Sequence, residues 1–296
     1  MRNTIKGMEL LTDLYELTMM QVYMKTGIIQ NHAIFDMFFR KNPFNSGYVV
    51  FAGLEQLIDY LQNLSFSKES IDYLYSLHIF SDDFLDYCKS FRFTGSIFSF
   101  QEGDVVFPEE PVIRVEAPLG QAQLIETALL NCINFQSLIA TKAARVCYAA
   151  KGRQVIEFGL RRAQGPDGGL SASRASFIGG CIGTSNVLAG KMFGIPVKGT
   201  HAHSFVMAYD SEAEAFTNYT KVFPDSSILL VDTYDTVHSG IINAIAAAKE
   251  LQAQGKRLAG IRLDSGDLAD LSKKVRKLLD EEGLSYVKIV ASNDLD

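Results

Sequence analysis

Two histidines, His201 and His203, stand two positions apart in the stretch VKGTHAHSF (197–205), with the hydroxyls of Thr200 and Ser204 beside them. Side chains at i and i+2 of an extended strand point the same way, so the pair could grip a metal, with His238, Asp232 or Asp264 as a third ligand. A neutral imidazole set among hydroxyls, arginines and carboxylates could instead be an acid, a base or a phosphoryl-accepting nucleophile. A third reading leaves one histidine capping the next helix and the other in solvent. The residues alone leave all three open.

Other groups at similar positions widen the chemistry. Arg161 and Arg162 precede a glycine-rich loop in EFGLRRAQGPDGG, and Arg262 lies in RLDSGD. Guanidinium forks of this kind clamp carboxylates and phosphates, unless the loop simply carries them into water. Asp232 and Asp264 offer hard oxygen ligands to Mg²⁺ or acceptors to ribose hydroxyls. The competing reading of VDTYD and LDSGD is helix capping. Nucleotide motifs are absent: GGCIGTSN is not a GxGxxG, and Met192 stands where a P-loop needs Ser or Thr.

These residues recur at one kind of place. From about residue 152, short apolar runs alternate with helical stretches: QVIEFG, a weaker GCIGTS, IPVKGTHAHS, SILLVDTYD, LAGIRLDSGD and YVKIVASND. Apolar strands between helices predict a parallel sheet covered on both faces, where chemistry collects at the carboxyl ends of the strands. Those ends carry Glu157 and Arg161; Thr200, His203 and Ser204; Asp232 and Asp235; Arg262, Asp264 and Ser265; Ser292, Asn293 and Asp294. Ser204 and Asn293 join the substrate-binding candidates on this ground.

Upstream, TDLYELTMMQVYMKTG predicts a helix with Asp13 and Glu16 as a capping box and Gly27 as its stop. Leu14, Leu17, Met20 and Met24 form one stripe; Tyr15, Met19 and Tyr23 form another, so two sides should be covered. HAIFDMFFR predicts a strand, GLEQLIDYLQNL a helix, and FTGSIFSFQEGDVVFPEEPVIRVEAP a small antiparallel sheet. A long helix over about 121–150 follows. We expect an α+β domain over 1–118 and an α/β domain over 119–296.

The 296 residues are 47% hydrophobic with a net charge of −6, which places the chain among globular proteins and denies it a general basic field for nucleic acid. No apolar run is long enough to span a membrane, and the opening residues lack an apolar stretch with a small-residue cleavage site, so no targeting signal is expected there. The 4 cysteines lack zinc or CxxC spacing, which points to reduced thiols and a cytoplasmic protein.

Taken in order, LTDLYELTM, EFGLRRAQGPDGG, SNVLAG, GTHAHSF, VDTYDT, RLDSGDL and ASNDLD resemble the nicotinate phosphoribosyltransferases, from Leu11 to the last residue. The resemblance implies an irregular (β/α) barrel behind a smaller α+β domain, in a homodimer whose sites lie at the subunit boundary. It implies the joining of nicotinate and 5-phosphoribosyl 1-diphosphate into nicotinate mononucleotide, a step of NAD biosynthesis, with ATP as co-substrate and Mg²⁺ as cofactor. The phosphorylatable histidine falls on His203, leaving His201 a bystander. Ring-stacking aromatics fall on Phe158 and on Tyr15, the latter reaching into the partner's site. Thr200 and Arg262 match nicotinate contacts, Arg161 a residue near substrate and phosphates, and Asp232 and Asp264 acids near ribose and metal.

One departure stands out. About six strand stretches are present where a (β/α)₈ barrel needs eight, and the family's late glycine-rich phosphate loop has no counterpart up to Asp296. The expectation is an N-terminal portion of a longer enzyme, slow or inactive alone. Two other readings remain: a metal-dependent barrel hydrolase using His201 and His203, and an inactive truncated fragment. Quinolinate phosphoribosyltransferase has a comparable length, but its second substrate carboxylate calls for more basic strand ends than these.

Overall fold

Apolar residues at helical spacing bury Leu57, Tyr60 and Leu61 on one side of residues 54–63, and most of the first unit is assembled on faces of this kind. The computed structural model describes residues 8–293. They form two compact units, one running to Lys198 and one beginning at Gly199.

The first unit opens with α1 (Leu14–Lys25), β1 (His32–Met37), β2 (Val49–Val50), α2 (Leu54–Asn63), α3 (Lys68–Ser76) and α4 (Asp82–Lys89). It continues through β3 (Ser96–Ser99), β4 (Val105–Val106), β5 (Ile113–Pro118), α5 (Leu119–Leu124), α6 (Glu126–Ala149), α7 (Gly165–Ile178) and α8 (Val187–Phe193). Of the expected antiparallel sheet, β3 and β5 pair and β1 joins them in the order β1-β5-β3, with Phe35 opposite Val115 and Ile97 opposite Val115 on the other side, while β4 pairs separately with β2. The expected helix over 121–150 breaks at Ile125 into α5 and α6.

Compactness groups residues 119–198 with those upstream of the expected boundary near residue 118. Helix α6 explains why. Its Ala128, Leu129 and Ile133 enter the core of Phe51, Leu57, Phe84 and Ile113, while Ala140 packs with Ala175 of α7. Arg174 of α7 adds a polar tie: buried, it donates to both Glu102 oxygens, at 2.8 and 2.6 Å, and reaches Glu55 of α2. Burial pushes the Glu102 carboxyl upward, but Arg174 outweighs it and holds it below the usual range.

At α1 the capping box is replaced by a longer-range pairing. Asp13 occupies the N-cap position without capping, and its Oδ2 accepts from the Thr127 hydroxyl at 2.8 Å. Glu16 is fully buried and accepts from the Thr127 amide and hydroxyl, both at 2.9 Å, so it caps α6 rather than its own helix. Of the first stripe, Leu17 and Met20 are buried but Leu14 is exposed, because Asp13 and Glu16 draw that end of α1 toward α6 through polar contacts. Tyr15 is also exposed.

Of the six expected parallel strand stretches, three in the first unit shrink to single bridges, Glu157 with Thr184 and Thr184 with Val197. Their backbone bonds run in parallel, Glu157 N–H to Gly183 at 3.0 Å and Thr184 N–H to Pro196 at 3.1 Å. Pro196 has no N–H to give and Gly183 no side chain to pack, so neither ladder extends.

The second unit contains α9 (His203–Met207), α10 (Glu212–Val222), β6 (Ile228–Leu230), α11 (Ile241–Ala253), β7 (Gly260–Leu263), α12 (Leu268–Glu281) and β8 (Lys288–Ala291). The strands form a parallel sheet in the order β6-β7-β8, with Leu229, Ile261 and Ile289 in register. Leu229, Val231, Ile261 and Leu263 are buried beside Ala244, Ala248, Val275 and Leu279 of the helices. The architecture of the described residues is thus mixed α/β.

A π-helical turn, Thr236–Gly240, leads into α11 and presses on the end of β6. A Cβ on Gly240 would lie 1.8 Å from the Val231 carbonyl oxygen. We therefore expect Gly240→Ala to destabilise the chain by about 2 kcal/mol or more through overpacking, as read by urea denaturation; an unchanged midpoint would show that the turn gives way freely.

Candidate active site

Parallel strands end on one edge of their sheet, so the residues just past β6, β7 and β8 become neighbours although they lie about 30 positions apart. Asp232 follows β6, Asp264 follows β7 and Ser292 follows β8. Asp232 Oδ2 accepts the Asp264 amide at 2.8 Å and the Ser265 hydroxyl at 2.6 Å. Ser292 donates to Asp264 Oδ1 at 2.6 Å. The three tips are tied by side chains beyond the last ladder bond.

His203 joins this group from the first position of α9. Its Nε2 lies 3.5 Å from Asp264 Oδ2, and its Nδ1 lies 3.2 Å from the Thr233 hydroxyl. One carboxylate and one hydroxyl thus orient the ring, whose side chain keeps 40% exposure. Burial pushes Asp264 upward, but the Ser292 hydrogen bond, the Arg262 guanidinium and the neighbouring His203 ring more than offset it, leaving its carboxyl below the usual range. An imidazole so held can accept or pass on a group at a nitrogen.

The aspartates of the two motifs divide by role. Asp235 accepts the amides of Val237 and His238 at 2.9 and 2.8 Å, and Asp267 accepts that of Asp270 at 3.0 Å, so both are caps. Asp232 and Asp264, three positions earlier in each motif, are the ones at the tips. Asp232 Oδ1 is buried and makes no hydrogen bond. A buried, unmatched carboxylate oxygen fits a hard cation or a substrate hydroxyl. Two carboxylates suffice for Mg²⁺, which keeps water and leans on substrate phosphates.

Arg262 and Thr200 meet at one backbone oxygen. Arg262 Nη2 donates to the His201 carbonyl at 3.1 Å, and the Thr200 hydroxyl donates to it at 3.2 Å. The two predicted substrate contacts are therefore neighbours. Ser204 is exposed on the first turn of α9, and Asn293 is exposed just past Ser292.

His201 is not half of a metal pair. His203 begins a helix rather than continuing a strand, so the two-residue alternation does not apply. His201 is buried, with its ring 4.8 Å from that of Tyr219 and 5.2 Å from that of Phe205. Its Nε2 accepts the Leu230 amide at 3.1 Å, and its Nδ1 faces the Ala202 carbonyl at 3.5 Å. With Nε2 as acceptor the proton sits on Nδ1, and no lone pair is left for a metal. The hydrolase reading loses its first ligand. Among the described residues no cluster of three or more His, Cys, Asp and Glu could hold a metal ion.

In the first unit, Phe158 is half-buried and Arg161 is exposed on a 3₁₀ turn, Leu160–Arg162. Both follow Glu157, whose carboxylate takes hydroxyls from Ser173 and Thr184. Sequence reasoning gave no role to Ser173, Thr184 or Asn186, and none to Thr233, although Thr233 directly follows Asp232 in a motif already singled out. Surface hollows of about 510 and 490 Å³ in the same unit, around Ile71 and Leu85 and around Phe98 and Arg114, hold none of these residues.

Burial also makes His201 a marker of acid stability. It pushes the imidazole from 6.5 down to about 4. The unfolded chain then takes up a proton that the folded chain refuses, so stability present above pH 6.5 is lost as the pH falls toward 4. The loss is on the order of 3 kcal/mol. His201→Gln keeps an acceptor for Leu230 without titrating; denaturant melts at pH 7 and pH 4.5 should show a smaller acid loss than in the parent, and an equal loss would contradict this account.

Comparison with known proteins adds an independent line. The nicotinate phosphoribosyltransferase N-terminal domain model matches residues 10–134, and the nicotinate phosphoribosyltransferase family model matches 153–296. The chain is 52% identical to nicotinate phosphoribosyltransferase of Bacillus subtilis over 98% of its own length and 59% of the relative's. It spans about six-tenths of the curated relatives it matches, from 57% to 64%. The crystal structure of human nicotinic acid phosphoribosyltransferase superimposes with a TM-score of 0.90 at 33% identity, covering 96% of this chain and 68% of the human one. Nicotinate-nucleotide pyrophosphorylase of Pyrococcus furiosus gives 0.79 at 26% identity, covering 100% of this chain and 70% of that one. A strand-tip arrangement that the sequence motifs anticipated, matched by family and by structure along nearly the whole chain, makes this protein a member of the nicotinate phosphoribosyltransferase family.

Proposed function

We propose that the chain carries the site in which nicotinate and 5-phosphoribosyl 1-diphosphate combine to nicotinate mononucleotide and diphosphate, with ATP hydrolysed through a phosphohistidine at His203. The observation that carries this reading is the His203 ring held between Thr233 and Asp264 at the tips of the parallel strands. An imidazole facing both an acid and open space suits a nucleophile better than a core residue. Nicotinate arrives as a carboxylate with a free ring lone pair, so attack on ribose needs no general base. The protein has to hold the carboxylate, stack the ring and orient the ribose.

Within this reading Thr200 and Arg262 take the carboxylate, Phe158 stacks the ring, and Arg161 meets phosphate. Ser204 and Asn293 line the donor. Asp232 and Asp264 face ribose hydroxyls and would hold Mg²⁺, which when bound supplies positive charge to the departing diphosphate. The orphan oxygen of Asp232 supports that placement. The exposed ring of Tyr15 on α1 suits a contact with a partner subunit, in a homodimer with shared sites. The finer architecture belongs to the same proposal: an irregular (β/α) barrel over 119–296, preceded by an α+β domain over 1–118.

No helix among the described residues is long and apolar enough to cross a membrane. The four cysteines are free, which supports a cytoplasmic location.

Incubation with γ-labelled ATP tests the central claim. Acid-labile phosphate should appear on His203 and vanish in His203→Ala. That variant should also lose an ATP stimulation of product formation of roughly 5- to 150-fold, the range of a coupling of 1–3 kcal/mol. Full ATP stimulation in His203→Ala would sink the phosphohistidine.

A further inference from the structure

The residue that begins EFGLRR is engaged more heavily than its neighbours. Glu157 Oε1 accepts the amide of Gly159, two residues on. Its Oε2 accepts the Thr184 hydroxyl at 2.5 Å and the Ser173 hydroxyl at 3.1 Å. Both donors are buried: Thr184 is 0% exposed and Ser173 1%. They are themselves fixed. The Asn186 amide donates to Thr184 Oγ1 at 3.0 Å, and Asn186 Nδ2 donates to Ser173 Oγ at 3.3 Å. The backbone repeats the connection, with Glu157 N–H to Gly183 at 3.0 Å and Ser185 N–H to Glu157 at 2.9 Å.

A strand held by only a single bridge would ordinarily fray at its end. Here one carboxylate gathers three donors, from the turn that follows it, from α7 and from the neighbouring strand stretch. Charge-assisted hydrogen bonds of this kind are roughly twice as strong as neutral ones. What lies between the pinned points is Phe158, and the turn that follows Gly159 presents Arg161.

We propose that Glu157 is a positioning residue: through Ser173 and Thr184 it locks the Glu157–Gly159 turn, and so fixes the ring of Phe158 and the start of the Arg161 turn for the aromatic acid substrate. The inference rests on the reading that Phe158 and Arg161 face nicotinate. Glu157 itself does not touch the substrate. Its effect is preorganisation, which lowers the ordering cost of binding.

Two readouts on the 296-residue chain separate this inference from the functional reading. Hydrogen exchange of the peptide containing Gly159 follows the lock directly; calorimetric titration with nicotinate follows its consequence. In Glu157→Ala and in Thr184→Val, Gly159 exchange should rise and nicotinate should bind tenfold or more weakly. Thr184→Ser, which keeps the hydroxyl, should restore both. Val is nearly isosteric with Thr, so Thr184→Val tests the hydroxyl even where Glu157→Ala fails to fold. Unchanged exchange in Thr184→Val overturns the lock. Faster exchange with unchanged nicotinate affinity overturns the positioning role. If the parent chain binds no nicotinate, the functional reading falls, and the exchange result alone decides whether Glu157 holds the turn.

Discussion

The site depends on one contact between strand ends: the carboxylate of Asp232, past β6, accepting the amide of Asp264, past β7. A parallel ladder stops where side chains take over, and without such a bond the polar residues beyond it would diverge as ordinary loop. With it, a chain of partners is fixed in turn. Asp264 is set to face His203 and Ser292, and Ser265 is drawn back onto Asp232. The cost is a second Asp232 oxygen buried without a hydrogen bond. Stability alone would not retain such a group, because an unsatisfied buried acceptor costs about 1–3 kcal/mol.

The two histidines show how burial assigns chemistry to identical side chains. His201 sits among Phe205, Phe216 and Tyr219 and spends its Nε2 on the Leu230 amide, which keeps it neutral. It is a backbone acceptor in aromatic surroundings. His203, two residues on, starts a helix, which swings it toward the acids. Its neighbours leave it half open. His201 still serves the site, since its carbonyl is where Arg262 and Thr200 converge.

Two buried charged groups elsewhere are held by several partners each. Glu16 gains three donors and becomes the cap of a distant helix. Arg174 meets two carboxylates and a glutamine from three other elements. Each of these ties joins segments that the hydrophobic pattern alone would pack in several ways. They select one arrangement, at the expense of desolvation that apolar side chains would not incur.

Much of this was legible in the residues. Apolar runs such as SILLVD and LAGIRLD have no polar face, so they specify strands buried on both sides, and the helices between them enforce parallel order. From there it followed that Asp232, Arg262, Asp264 and His203 would sit at one edge. Local pattern left capping and ligand readings of VDTYD and LDSGD both open, since each motif has two acids beside a turn, and it was the family resemblance that singled out Asp232 and Asp264. Only the helix starting points, fixed by packing, assign the capping to Asp235 and Asp267. Likewise Glu157, Ser173 and Thr184 lie 11 to 27 positions apart, a separation that carries no local period. Sequence by itself determined which side chains were available and on which type of element, because periodicity and propensity act over a few residues. Tertiary structure decided which of them meet, which are dry and which are spent on the backbone, because those outcomes depend on distances between segments that no local pattern encodes.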